Sequence, residues 1–141
     1  MTRYVSWLLW SDRGSVSAEM TVFVVPCMMV LAVFLIFCGR AASASIDVNA
    51  AAAAAARAAA DAPTPAGAHT AAADAVTATT AGTAWTCAAN TNTGAHHRGG
   101  KVTVSVSCVV PVSDLGLPGV GATKTVSATA TEPIDTYRAG Q

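Results

Sequence analysis

Charge is scarce in this chain: 11% of its 141 residues are Asp, Glu, Lys or Arg, and eight basic residues balance eight acidic ones to a formal net charge of zero. Without a basic surplus there is no electrostatic footprint for nucleic acid. Without blocks of like charge there is no acidic or basic interaction tail. The signatures of hydrolysis and phosphoryl transfer are missing as well: the sequence holds no nucleophile elbow, no phosphate-cradling loop and no metalloprotease helix motif. His69, His96 and His97 are the histidines, and the adjacent pair falls in an Asn/Gly stretch with no Cys or carboxylate at metal-ligand spacing. That pattern reads as a solvated turn. Neither a catalytic residue, a cofactor nor a metal is assigned.

What the chain has in quantity is apolar surface. From Met20 to Cys38 run 19 residues without a charge, and at ~1.5 Å per residue a helix of that length approaches the ~30 Å hydrocarbon thickness of a bilayer. Val22, Phe23, Val24, Val25, Met28, Met29, Leu31, Phe34, Leu35 and Ile36 occupy every face, which suits neither a soluble amphipathic helix nor a half-buried strand. Pro26 lies within the run, where membrane helices tolerate it. A secretory signal peptide is the competing reading. Its hydrophobic region is about 7–15 residues long and ends in a small-x-small cleavage site, which Ala42-Ser43-Ala44 imitates.

Five pieces follow one another. Residues 1–14 form a leader with Arg3 and Arg13 against Asp12 and an interfacial Trp7-Leu8-Leu9-Trp10 cluster, and the charges favour this end as cytoplasmic. The apolar span comes next and passes into Ala41–Ala62, where 14 of 22 residues are alanine, so the helix is expected to continue to residue 62. Arg40, Asp47, Arg57 and Asp61 keep it soluble, with Arg57 and Asp61 at (i, i+4) spacing. The tract reads equally as a helical spacer or as a packing surface of small residues.

Pro63-Thr64-Pro65 ends that helix, and Thr64 as N-cap with Pro65 at the first position predicts a second helix to about Thr80. Ala84–Ala89 is a short strand candidate and Asn90–Gly100 reads as loop. Lys101–Val112 is the clearest strand: Val102, Val104, Val106 and Cys108 alternate with Thr103, Ser105 and Ser107. Ala122–Thr131 repeats the alternation after a Gly/Pro turn, so the two predict an antiparallel hairpin. The tail that follows is ordered if Ile134 and Tyr137 dock on the sheet.

The cysteines divide by environment. Cys27 and Cys38 are too far apart along one helix to bridge and read as membrane-facing small hydrophobes. Cys87 and Cys108 fall in strand candidates of the part assigned outside the cytoplasm, where thiols oxidise, and either pair in a disulfide or remain buried thiols. Closing that loop contributes ~3 kcal/mol on a chain-entropy estimate. The expected fold is α+β: a transmembrane helix extended by the alanine tract over 15–62, then an extracytoplasmic domain over 63–141 with a small antiparallel sheet.

The Gly14-Ser15-Val16-Ser17-Ala18-Glu19 start, the span with Pro26, the Phe37-Cys38-Gly39-Arg40 exit, the alanine-rich helix and the Val106-Ser107-Cys108-Val109-Val110-Pro111 segment together resemble the TadE-like pilus assembly proteins of actinobacteria. Cys38 departs from the acidic or glutamine residue common there, as does the leader with its two tryptophans. The resemblance implies a pilin-like fold and a non-catalytic pseudopilin of a Tad/Flp-type pilus or related secretion system, single-pass in the plasma membrane with its C-terminal domain at the cell surface. Its partners would be other pilins and the pilus platform proteins. It also implies cleavage by a prepilin peptidase after Gly14, leaving Ser15 as the new N-terminus. Ser15 and Glu19 then share a helix face, so the Glu19 carboxylate partners an ammonium of its own or a neighbouring chain. The plainer role for Glu19 is to complement the positive end of the helix dipole. A second class of function stands beside the first: a membrane-anchored binding module, with Trp85 and the histidine loop against a ligand or wall polymer.

Overall fold

Alanine, leucine-type and methionine side chains lose little freedom in a helix, and the first element, α1, runs without interruption over Ser15–Asp61, through Pro26. The computed structural model describes residues 15–115, 119 and 121–137, with backbone alone for 15–19 and Ala95. The leader, Pro118 of the Gly/Pro turn and Arg138 lie outside the described residues.

The chain divides into two compact units, Met1–Ile36 and Phe37–Gln141. The described part of the first is the N-terminal portion of α1. In the second, α1 continues to Asp61 and is followed by α2 (Pro65–Thr79) and the strands β1 (Thr86–Ala95), β2 (Lys101–Pro111) and β3 (Thr123–Pro133). Thr64 caps α2 as its sequence predicts: its Oγ1 accepts from the Gly67 N–H at 3.0 Å, and Pro65 takes the first helical position. α2 lies against β1.

The strands form one antiparallel sheet in the order β1-β2-β3. The period-two pattern of β2 is realised, with Val102, Val104, Val106, Cys108 and Val110 buried and the residues between them facing out. β3 matches it: Ala128 is buried, and Val126 and Ala130 pack against the same core. On the opposite face the rows Asn92–Thr103–Thr131, Asn90–Ser105–Thr129, Ala88–Ser107–Ser127 and Thr86–Val109–Thr125 lie side by side. Two hydroxyl pairs cross the strands there, Thr103–Thr131 and Ser105–Thr129, each at 2.9 Å.

β1 is longer than expected. Asn90–Ala95 is strand rather than loop, because pairing with Ser105–Lys101 supplies main-chain hydrogen bonds that outweigh the turn preference of Asn and Gly. The turn chemistry survives as a bulge: one extra residue lies between Asn92 and Ala95, and Asn92 Oδ1 accepts from the Gly94 N–H at 3.0 Å. The remaining loop needs Gly99 at φ +72°, where a Cβ would also approach Thr136 Cγ2 to 3.1 Å.

The core of the second unit is built largely from the alanine tract. Ala44, Val48, Ala52, Ala55, Ala56 and Ala59 are buried in a stripe of helical period, in one cluster with Ala68, Ala72 and Val76 of α2 and the valines of β2, and Ala51 is buried as well. The tract is therefore a packing surface, and the spacer reading is set aside. Two side chains orient it. Arg40 Nη1 donates to the carbonyl oxygen of Asp114 at 3.1 Å, just past the end of β2. Arg57 Nε meets Glu132 Oε1 at 3.4 Å, at the far end of β3. Since Glu132 pairs with Val102, this part of α1 runs antiparallel to β2. Leu115 and Ile134 close the two ends of the core, each 2% exposed. Of the two tail residues expected to dock, Ile134 does, while Tyr137 is 93% exposed.

Candidate functional site

The sequence directs attention to the start of α1. Ser15 is the first residue of the helix, and Glu19 lies four positions on, directly before Met20, which is exposed. Gly14 lies outside the described residues, and so do the side chains of Ser15 and Glu19.

From Met20 to Ile36 the large side chains are exposed among the described residues. Met20, Val22, Phe23, Val24, Val25, Met28, Met29, Val30, Leu31, Val33, Phe34, Leu35 and Ile36 are between 44% and 75% exposed. A contiguous apolar surface of that extent marks a site of interaction with lipid or protein. By length and composition the segment is a candidate membrane span. Cys27 and Cys38 are free thiols, both exposed.

Past the span the side chains change partner. Phe37 packs against the core of the second unit and Ala44 is the first fully buried alanine. The sequence assigned Arg40 a solubilising role and Arg57 the same role with Asp61 as its (i, i+4) partner, whereas both reach from α1 to the sheet or its loops. Arg57 makes the one ion pair found among the described residues, and its partner is Glu132 instead of the expected Asp61. The competition is physical: an (i, i+4) pair on an exposed helix is worth only ~0.2–0.5 kcal/mol, and a long-range acceptor displaces it easily.

The second pair of named residues is brought together. Cys87 and Cys108 stand directly opposite in the β1–β2 register, with Cα atoms 4.0 Å apart, and form a disulfide. Cys108 is fully buried in the core and Cys87 packs at its border. The bridge closes a loop whose ends are 21 positions apart, a constraint on the unfolded chain worth ~3 kcal/mol.

The histidines do not converge. His69 and His97 are exposed, with His97 Nδ1 3.1 Å from its neighbour's carbonyl, and both ring nitrogens of His96 are enclosed without a hydrogen-bond partner among the described residues. No group of three His, Cys, Asp or Glu side chains could hold a metal ion among the described residues. Comparison with protein-family models, with curated proteins and with solved structures returned no match.

Proposed function

We propose that this chain is a non-catalytic, single-pass membrane protein of pseudopilin type, acting in the assembly of a Tad/Flp-type pilus or a related secretion machine. The observation that carries the reading is the double use of α1: one unbroken helix is exposed and apolar over Met20–Ile36, then buried as alanine against a sheet from Ala44 onward. A helix of this kind presents its first part to lipid or to like helices while its second part is built into a folded domain. The disulfide is compatible with a domain outside the cytoplasm. The resemblance of Gly14–Glu19 and of the Val106–Pro111 segment to TadE-like proteins supports this choice of family.

On this reading the N-terminus stays cytoplasmic until a prepilin peptidase cuts after Gly14. The new α-ammonium of Ser15 and the Glu19 carboxylate then neutralise each other within a chain or between neighbours. Partners are the plasma membrane, other pilins or pseudopilins and the platform proteins.

The test is a mass measurement. Coexpressed with its peptidase, the protein should begin at Ser15, and Gly14→Val should accumulate as full-length precursor. Recovery of uncut protein in both cases removes the processing claim.

A further inference from the structure

Within the second unit a cleft of about 300 Å³ is lined by Asp47 and Ala50 of α1, Thr79 and Thr80 at the end of α2, and Thr83 and Trp85 on the way into β1. That volume is at the small end of ligand-holding pockets. Several independent features give it a single electrostatic sign. Asp47 is exposed and makes no ion pair among the described residues. The threonine protons are already committed to the backbone: Thr79 Oγ1 donates to the carbonyls of Ala75 and Val76 at 2.7 and 3.0 Å, Thr80 Oγ1 to that of Val76 at 2.8 Å, and Thr83 Oγ1 to that of Thr80 at 2.8 Å. Each oxygen keeps lone pairs and has no proton left to offer. α2 ends here, so the negative pole of its dipole falls at the cleft, and its last turn carries no basic residue to offset it. Trp85, half-buried at the border of the core, adds an electron-rich ring face.

The group complementary to this set donates hydrogen bonds, accepts none, carries positive charge and has a slim apolar stem. A sugar hydroxyl needs donors as well as acceptors, and the lining side chains offer only the Trp85 indole N–H. An anion meets repulsion from the carboxylate and the helix end alike. We infer that the cleft binds a primary alkylammonium group, its nitrogen between the Asp47 carboxylate and the threonine oxygens and its methylenes along the Trp85 ring. The same chemistry is carried by a free amine and by a lysine side chain of a peptide. The inference is independent of the filament reading, and holds whether α1 assembles with other helices or only anchors the chain.

The test uses the full chain in detergent micelles, following the Trp85 indole N–H resonance while n-butylammonium or Nα-acetyl-lysine-N-methylamide is added. The expected result is a saturable shift with Kd on the order of millimolar, weakened by added salt because the ion pair is exposed. Asp47→Asn should raise Kd about tenfold, with the remaining amide spectrum unchanged as evidence of an intact fold. Asp74→Asn, an exposed acid on α2 outside the lining, should leave Kd as it was. Saturation by both probes places recognition in the ammonium and its stem, and saturation by the lysine derivative alone makes the flanking peptide part of the ligand. Absence of saturation with either probe, an equal response to n-butanol, or an unchanged Kd in Asp47→Asn overturns the inference.

Discussion

Glu19 is the residue on which the assembly reading turns, because it stands one position before the exposed apolar stretch begins. A carboxylate at the centre of a bilayer costs about 2.5–3.5 kcal/mol and less toward the edge, so removing it favours insertion. A purely structural role in the membrane and a role in assembly therefore predict different things for Glu19→Ala. On the assembly reading, the variant reaches the membrane fraction at the wild-type level or above while fibres in the native host fall to background. Electron microscopy of the cell surface beside membrane fractionation reads both, and normal fibres would sink the role given to Glu19. Single residues were unevenly legible. Cys87 and Cys108 stood out as a pair with two readings, a disulfide or two buried thiols, and the cap role of Thr64 followed from its place between two prolines. The partner of Arg57 could not, because Glu132 is 75 residues away and local spacing pointed to Asp61.

At the scale of elements, the alternating strands β2 and β3 were visible in advance because Val and Thr/Ser differ sharply in hydropathy. The alanine tract was opaque for the opposite reason: identical small side chains on all sides give no periodic signal. Its register is nevertheless written in the charges. At ~3.6 residues per turn, Arg40, Asp47, Arg57 and Asp61 fall within one arc of α1 about 100° wide, and Val48, Ala52, Ala55 and Ala59 lie well away from it, in the core. β1 was half seen, since Asn, Thr and Gly carry a turn preference that only the neighbouring strand overrides. The core positions of α1 carry small side chains with little or no exposed surface, and added volume has nowhere to go. Ala56→Leu, at a fully buried site, should destabilise the protein by about 1–3 kcal/mol. Ala50→Leu, on the exposed side of the same helix, should leave stability within about 0.5 kcal/mol. Thermal or urea denaturation of the paired variants checks this, and equal effects would contradict the assignment of the buried face.

For the whole molecule the open question is whether α1 is an anchor or a recognition element, and the two units allow the question to be put directly. Replacing residues 20–36 by an unrelated apolar span of equal length preserves membrane attachment on either view. If like helices recognise this segment, the exchanged protein is stably inserted, keeps its disulfide and yet fails to support fibres. If it only anchors a binding module, function survives the exchange. Either outcome is read from membrane fractionation, non-reducing electrophoresis and fibre counts on the same cells. The amphiphilic division of the chain was plain from sequence, because a long uncharged run stands out from any background. The cleft at Asp47 and Trp85 was not, because its lining comes from three separate stretches that only the packed helices bring together.

The face of the sheet turned away from the alanine helix has a bearing on how such a domain behaves among its neighbours. Four of its rows, of threonine, serine, asparagine, alanine and valine, bear no ionic group, with Lys101 in the next row at their end, and two of the rows have hydroxyls already bonded to one another. Contacts made through those four rows therefore respond little to ionic strength or to acidity.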